Sequence, residues 1–468
     1  MKTKVIYFMS SLLVIFSTFS CLKVPDEKIS PPPIDEKEII IPNPNFDTKT
    51  QNNLSIPYAV TIKYLTNGQV SVDNPYKDKG VTVNVDRQHV TVISTTTSVE
   101  VNYVLSGNST NSSLKIYSEL RFGVVMNGVG LQNPKGAALN IQSGRRVTVT
   151  LVDNTMNRLV DEGVFEMTEN ERMNGTFFSE GQLIFNGAGS LLVYGNHGHA
   201  INVRDYIRIN NGSITVFHAN SDGIQCRDFF EINGGSVNIN AKSDGIESAR
   251  QYIDINGGAI KIKAGNKGLK AVENITITGG RLEIESQEDG IRSENDVIIT
   301  GGEVYSNSRD GILSTGGSIA ISGGRTVLAA RRNAFSCTKT FSMTGGTAVG
   351  TGRSTTIPTA SSSKQRSVVW GASDFKDQQL IYIRRSDTDA EVLTLKLSRA
   401  YPENMALVFT APSLEANMNY LIYKGGNIPS NNHFHGLYND GKSNGGELMT
   451  IFTTSDMVTP TGDTTVWN

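Results

Sequence analysis

The sequence predicts an all-β protein wound as a right-handed parallel β-helix, with three short strands and about 22 residues per coil. The first observation is a glycine ladder: Gly212, Gly235, Gly258, Gly280, Gly302, Gly324 and Gly346, spaced by 23, 23, 22, 22, 22 and 22 residues. A fixed period of this length marks a solenoid. The second is an out-of-phase ladder: Asp222-Gly223, Asp244-Gly245, Lys267-Gly268, Asp289-Gly290 and Asp310-Gly311. The third is the content of one repeat. In GGSVNINAKSDGIESARQYIDIN (234–256), Val237 and Ile239 flank Asn238, Ser248 lies two beyond Ile246, and Ile253 and Ile255 flank Asp254. Alternation with period two is the strand pattern, and β-branched residues dominate it. No run places apolar residues at i, i+3, i+4 and i+7, which excludes helical repeats. A calcium-binding nonapeptide roll needs a period of about nine, so it is excluded too.

The N-terminal elements come first along the chain. Residues 1–20 read as a secretory signal: Lys2 and Lys4, an apolar stretch from Val5 to Phe16, then small residues. That stretch is too short to span a bilayer. Thr18-Phe19-Ser20-Cys21 resembles a bacterial lipobox, which makes Cys21 the expected acylation (palmitate) site and the anchor to the membrane. Residues 21–56 are rich in proline and charge and read as a tether that reaches roughly 30–40 Å or more. Lys23, Asp26 and Glu27 resemble the acidic surface-export signal of Bacteroidetes lipoproteins, which implies an outer-membrane lipoprotein displayed on the cell surface.

Residues 57–352 are expected to form the β-helix with its N-terminal cap. The irregular strands before about 120 supply the cap and first coils, because a solenoid end exposes unpaired strands. Residues 155–174 are polar and acidic and are expected to interrupt the coils. Within the periodic part, coils ~4.8 Å apart align equivalent residues in columns. Three columns are expected inside: Ile224, Ile246, Leu269, Ile291, Ile312 and Phe335; Ile209, Ile232, Ile255, Ile277, Ile299, Ile321 and Met343; and Ile214, Val237, Ile260, Leu282 and Val304, weakening at Thr326. Asn210, Asn233, Asn256, Thr278, Thr300, Ser322 and Thr344 form a polar column expected to bridge coils. Cys226 and Cys337 share an interior column five coils apart, or ~24 Å at ~4.8 Å per coil. That is far beyond disulfide reach, so two buried free thiols are expected. After Ser367 the period is gone, and residues 353–468 read as a β-rich C-terminal cap.

FGVVMNGVGLQNPKGAALNIQSGRRVTVTLVDNTMNRLVDEG (Phe122 to Gly163) resembles the "LNGV…GPAI…KVTITL…NTLTDG" block of secreted β-helix carbohydrate-binding proteins. GTFFSEGQLIFNGAGSLLVYGN (Gly175 to Asn196) and the SDGI and EDGI repeats continue the likeness, over roughly residues 80–350. That family is known from cellulolytic clostridia and gut Bacteroidetes and is similar in fold to calcium-dependent pectate lyases. The resemblance implies binding of cellulose-like or acidic, polygalacturonate-like polysaccharide, with bound Ca2+.

Two lines of residues are the candidate sites. Asp222 and Asp244 lie one coil apart, as do Asp289 and Asp310. Carboxylates stacked that closely repel, so one protonates or a cation bridges them. Calcium suits such a gap, while Asp-Gly is also simply a favoured turn dipeptide. Lys267 interrupts the column. Tyr206, Phe229 and Tyr252 point outward by parity, with Arg204, Arg227 and Arg250 two residues before them. Aromatic faces stack on sugars and guanidinium forks pair with carboxylates. The competing reading is self-stacking of the rings with arginine pairing to Asp205 and Asp228. A lyase would use Lys267 or Lys270 as the base beside calcium. A non-catalytic binder is the expectation, and a passive adhesin is the second alternative. His433 and His435 lack a third metal ligand. With 43 basic and 45 acidic residues, a net charge of -2 and no basic tract, nucleic-acid binding has no electrostatic basis.

Overall fold

A computed structural model describes residues 55–166 and 171–467. Cys21, the signal segment and nearly all of the tether lie outside the described residues. The described chain is a parallel β-helix of about 11 turns. One face is a 12-stranded sheet that runs from Val81–Asp86 to Phe335–Cys337, and the other two faces belong to a 25-stranded sheet. The registers reproduce the predicted columns: Ile224 pairs with Ile246, Ile232 with Ile255, and Val237 with Ile260. The members of all three columns are buried. Burial of each such side chain contributes about 1.5–3 kcal/mol, so every added coil extends one continuous core.

Two devices turn the corners. The seven ladder glycines all have φ between 73° and 107°. At Gly258 a Cβ would sit 2.8 Å from the Gly235 carbonyl oxygen of the coil below, so space as well as φ demands glycine. Beside it the amide column zips coil to coil. Asn233 donates to Asn210, Asn256 to Asn233, and Thr278 to Asn256, each at 3.0 Å.

The ends differ from expectation in two places. Met156–Asp161 is a regular strand paired with Phe122–Asn133 and Ser190–Gly195, so the interruption expected over 155–174 begins only after it, and no strand lies among the described residues of 162–174. Asp161 is fully buried, and its carboxylate accepts from the backbone N–H groups of Gly163 (2.8 Å), Asn196 (3.0 Å) and His197 (2.8 Å). The buried carboxylate thus anchors the start of the longer connection that leads to the strand Gly175–Ser179. At the C-terminus, Thr347–Gly352 pairs antiparallel with Met405–Thr410, which stops the parallel ladder and covers its edge. The rest of the region adds a six-stranded antiparallel sheet. It packs on the flank of the rod as well as over its end, against Tyr305, Val327 and Val349. These three stack in register on outward positions.

Cys226 is buried, and burial pushes its thiol well above the usual range. Cys337 is only half-buried, because the coil after it thins into the link 353–366. Both are free.

Candidate functional site

The corner between the strand Ile224–Cys226 and the strand Phe230–Ile232 carries the aromatic column. Tyr206 and Phe229 are stacked with ring centroids 4.4 Å apart and 7° between planes. Phe229 and Tyr252 follow at 4.9 Å and 6°. All three are half-buried. Parity placed them outward, but the inward faces of the stack are spent on one another. The column is a rigid wall that offers ring edges and two phenolic hydroxyls, not a run of flat platforms for sugar rings. Arg208 lies 5.7 Å from the Tyr206 ring and 6.0 Å from Phe229, and donates through Nε (3.0 Å) and Nη2 (2.8 Å) to Glu231 Oε2.

The arginines beside the wall behave differently. Val203 pairs with Cys226 and Cys226 with Ser248, so Arg204 and Arg227 are direct neighbours and Ala249 continues their line. The turn between Ser248 and Ile253 is one residue longer than those below it. Arg250 occupies that extra residue and is exposed, so the expected three-arginine column is a pair plus an offset third. The expected pairing to Asp205 and Asp228 is weak. Asp205 is taken by Gln182 Nε2 and the Tyr206 N–H. Arg227 Nε lies 3.9 Å from Asp228, beyond hydrogen-bond reach. The Nε atoms of Arg204 and Arg227 are buried and unpartnered.

The aspartate column does a structural job. Asp222 Oδ1 accepts from the Asp244 N–H (2.9 Å), and Asp244 Oδ1 from the Lys267 N–H (2.9 Å). Asp310 Oδ1 accepts from the Asn333 N–H (3.0 Å). Each carboxylate thus tethers the next coil. Imidazole, ammonium and guanidinium groups then surround them. His199 lies 3.2 Å from Asp222 and Lys270 3.7 Å from Asp244. Arg292 and Arg309 each lie 3.2 Å from Asp289, and Arg332 donates to Asp310. The pairs are split in acidity. Burial raises Asp244 and Asp289, while His199 holds Asp222 low and Arg332 holds Asp310 low against the desolvation they share. These four residues do not fit calcium: their oxygens face backbone N–H groups and the chain's own cations. Among the described residues no group of three or more His, Cys, Asp or Glu is arranged to hold a metal ion.

Lys267 Nζ donates to Asn266 (3.0 Å) and lies 3.5 Å from Glu288. Lys270 Nζ is 2.5 Å from Glu247. Burial opposes its charge, but Glu247 and Asp244 outweigh that and raise its pKa. A base that removes a carbon-bound proton needs the opposite shift. His435 stacks on Tyr305 at 3.7 Å and lies 3.3 Å from Glu283, so it docks the C-terminal sheet and does not pair with His433. A further aromatic cluster was not foreseen: Tyr194 and Phe217 lie 4.9 Å apart, with Arg158 5.1 Å over Tyr194. A register shift between Val216 and Ala219 hides it from the period.

The family described as carbohydrate-binding domain-containing protein matches this chain over residues 86–288 and 273–375. A carbohydrate-binding domain-containing protein of Acetivibrio thermocellus is 28% identical over 150 residues, covering 31% of this chain and 51% of that protein. The chain therefore spans about half the length of this curated relative. A solved structure described as a polysaccharide lyase-like protein from C. thermocellum (gadolinium derivative) is 22% identical, with a TM-score of 0.41, covering 57% of this chain and 94% of that one.

Proposed function

This chain belongs to the carbohydrate-binding domain-containing family, and from that premise we propose that it binds acidic polysaccharide along the corner of Arg204, Arg227 and the Tyr206–Phe229–Tyr252 wall. The observation that supports this reading is the pair of arginines one coil apart, each with a buried Nε that makes no hydrogen bond, Arg227 having only a long ion pair to Asp228 at 3.9 Å. A uronate carboxylate would pair with these guanidiniums, whose forked N–H groups match its planar geometry. The stacked rings fix the corner and exclude water beside it. Arg208 adds no net charge, because Glu231 cancels it.

The reading continues outward from the rod. Cys21 is acylated, the tether spans the surface layer, and the rod is displayed from the outer membrane of the cell. The chain holds its polymer without cleaving it: both candidate bases are engaged by the chain itself, Lys270 with Glu247 at 2.5 Å and Lys267 with Asn266 at 3.0 Å and Glu288 at 3.5 Å. Calcium has no part at the aspartate column. A lyase remains the competing reading.

Affinity electrophoresis tests the site. Polygalacturonate in the gel should retard the wild-type chain. Arg204→Gln with Arg227→Gln should weaken retardation at least tenfold and leave the melting temperature within about 2 °C. Undiminished retardation removes the corner from consideration. Growth of unsaturated-uronate absorbance, abolished by Lys270→Ala, would establish the lyase instead.

A further inference from the structure

The C-terminal region meets the rod's flank in a crease, and two arginines there have no carboxylate partner. Arg399 lies between the strands Glu391–Lys396 and Met405–Thr410. Its guanidinium reaches the rod and donates to Asn307 Oδ1, while its Nε is buried and unpartnered. Tyr401 fixes this stretch, with its hydroxyl 3.0 Å from both the Ala330 carbonyl and Thr351 Oγ1. Arg331 directly follows Ala330, and its Nη2 donates to the Gln287 carbonyl. Burial together with the fields of Arg399 and Arg309 pushes the Arg331 pKa down, and burial does the same to Arg399.

The acids nearby are engaged elsewhere. Glu288 lies 3.1 Å from Arg309 and 3.5 Å from Lys267. Asp289 is held by Arg292 and Arg309, and Asp310 by Arg309 and Arg332. Glu285, one coil below Asn307, is exposed and pairs with neither arginine. Asp377 is felt by Arg399 but is exposed and does not pair with it. Two desolvated like charges are costly unless an anion joins them. Five donors on each guanidinium leave most of the N–H groups free to take one.

We propose that this crease is an anion site that grips the carboxylate of an acidic sugar residue between Arg331 and Arg399. Forked donors on two sides suit a planar carboxylate better than a point charge would. The inference rests on the acidic-polysaccharide reading but uses different residues. Arg399 lies beyond the family match, which ends at residue 375, while Arg331 lies within it, so the site joins the matched region to the C-terminal region.

Thermal unfolding of the full chain tests it, with galacturonate, glucose or sodium sulfate at constant ionic strength. Galacturonate should raise the melting temperature, and glucose should not. Because the corner of Arg204 and Arg227 would take galacturonate as well, the comparison is made in the Arg204→Gln/Arg227→Gln background: galacturonate should still raise the melting temperature there, and adding Arg331→Gln with Arg399→Gln should weaken that remaining apparent affinity at least tenfold. Arg331→Gln alone should raise the melting temperature of the unliganded protein by relieving like-charge repulsion, which a merely structural arginine would not do. An undiminished galacturonate response after all four arginines are changed, or no response once Arg204 and Arg227 alone are changed, overturns the proposal. So does a fall in melting temperature on Arg331→Gln, or a response to sulfate without one to galacturonate. The corner reading is tested by retardation in polygalacturonate and this one by the galacturonate shift that survives without Arg204 and Arg227, so failure of either is told apart from failure of the other.

Discussion

Asp289 and Asp310 face each other across one coil spacing, and neutralising one should differ in sign of pH dependence from neutralising the other. Both side chains are fully buried. Asp310 accepts from Arg332 Nε (2.9 Å), the Asn333 N–H (3.0 Å) and Asn333 Nδ2 (2.8 Å). Asp310→Asn keeps one acceptor for the backbone and turns its amide donors toward guanidinium donors. Charge-assisted hydrogen bonds contribute about 1.5–3 kcal/mol each. Arg332 is 55% exposed, so solvent screening lowers that, and a loss of about 2–3 kcal/mol at pH 7 is expected. The folded pKa of Asp310 is depressed, chiefly by Arg332 acting against desolvation. Its contribution is therefore present above the unfolded value of about 3.9 and disappears as pH falls through the folded value. Asp289 is the reverse: burial raises its folded pKa. Its favourable protonated form is fully counted below about pH 3.9, and that contribution is lost as pH rises through the raised value. Asp289→Asn, a fixed mimic of the protonated state, should thus cost least at pH 7, about 1 kcal/mol or less given its two lost arginine contacts. Urea midpoints at pH 7, 5 and 3.5 measure both, compared as midpoints because a long repeat array need not unfold in one step. Equal costs at pH 7, or an Asp289→Asn cost that grows with pH, refute the split.

Gly258→Ala should destabilise by about 2–3 kcal/mol, combining a left-handed φ with a clash on the coil below. Gly144→Ala, where a Cβ meets nothing within 4 Å, is the control and should stay within about 0.5 kcal/mol in the same titration. Chelation of divalent cations should leave the melting temperature unchanged, since the aspartate column carries its own cations. A drop of several degrees that calcium reverses would show that another donor set exists.

The periodic part of this fold was legible because a β-helix converts contour length into position. A residue every 22 or 23 places, Ile232 or Gly258, has to face the same neighbour one coil away, and hydrophobicity or glycine records it. Earlier coils hid because their turns vary in length, so Met156–Asp161 looked like an excursion while lying in the ladder. One period-22 signal was present and unread: Tyr305, Val327 and Val349 place apolar residues on outward parity, which marks the flank that the C-terminal sheet covers.

Sequence alone determined which side chains point in and which point out, since alternation and period are properties of the backbone. It could not determine what the outward groups meet. Ring planes that close on one another at 4.4 Å, a turn one residue longer that displaces Arg250, and arginines from neighbouring coils that claim Asp289 and Asp310 are set by packing in three dimensions. Charge neutralisation and stacking depend on a few ångströms between separate coils, and only the tertiary structure holds those distances.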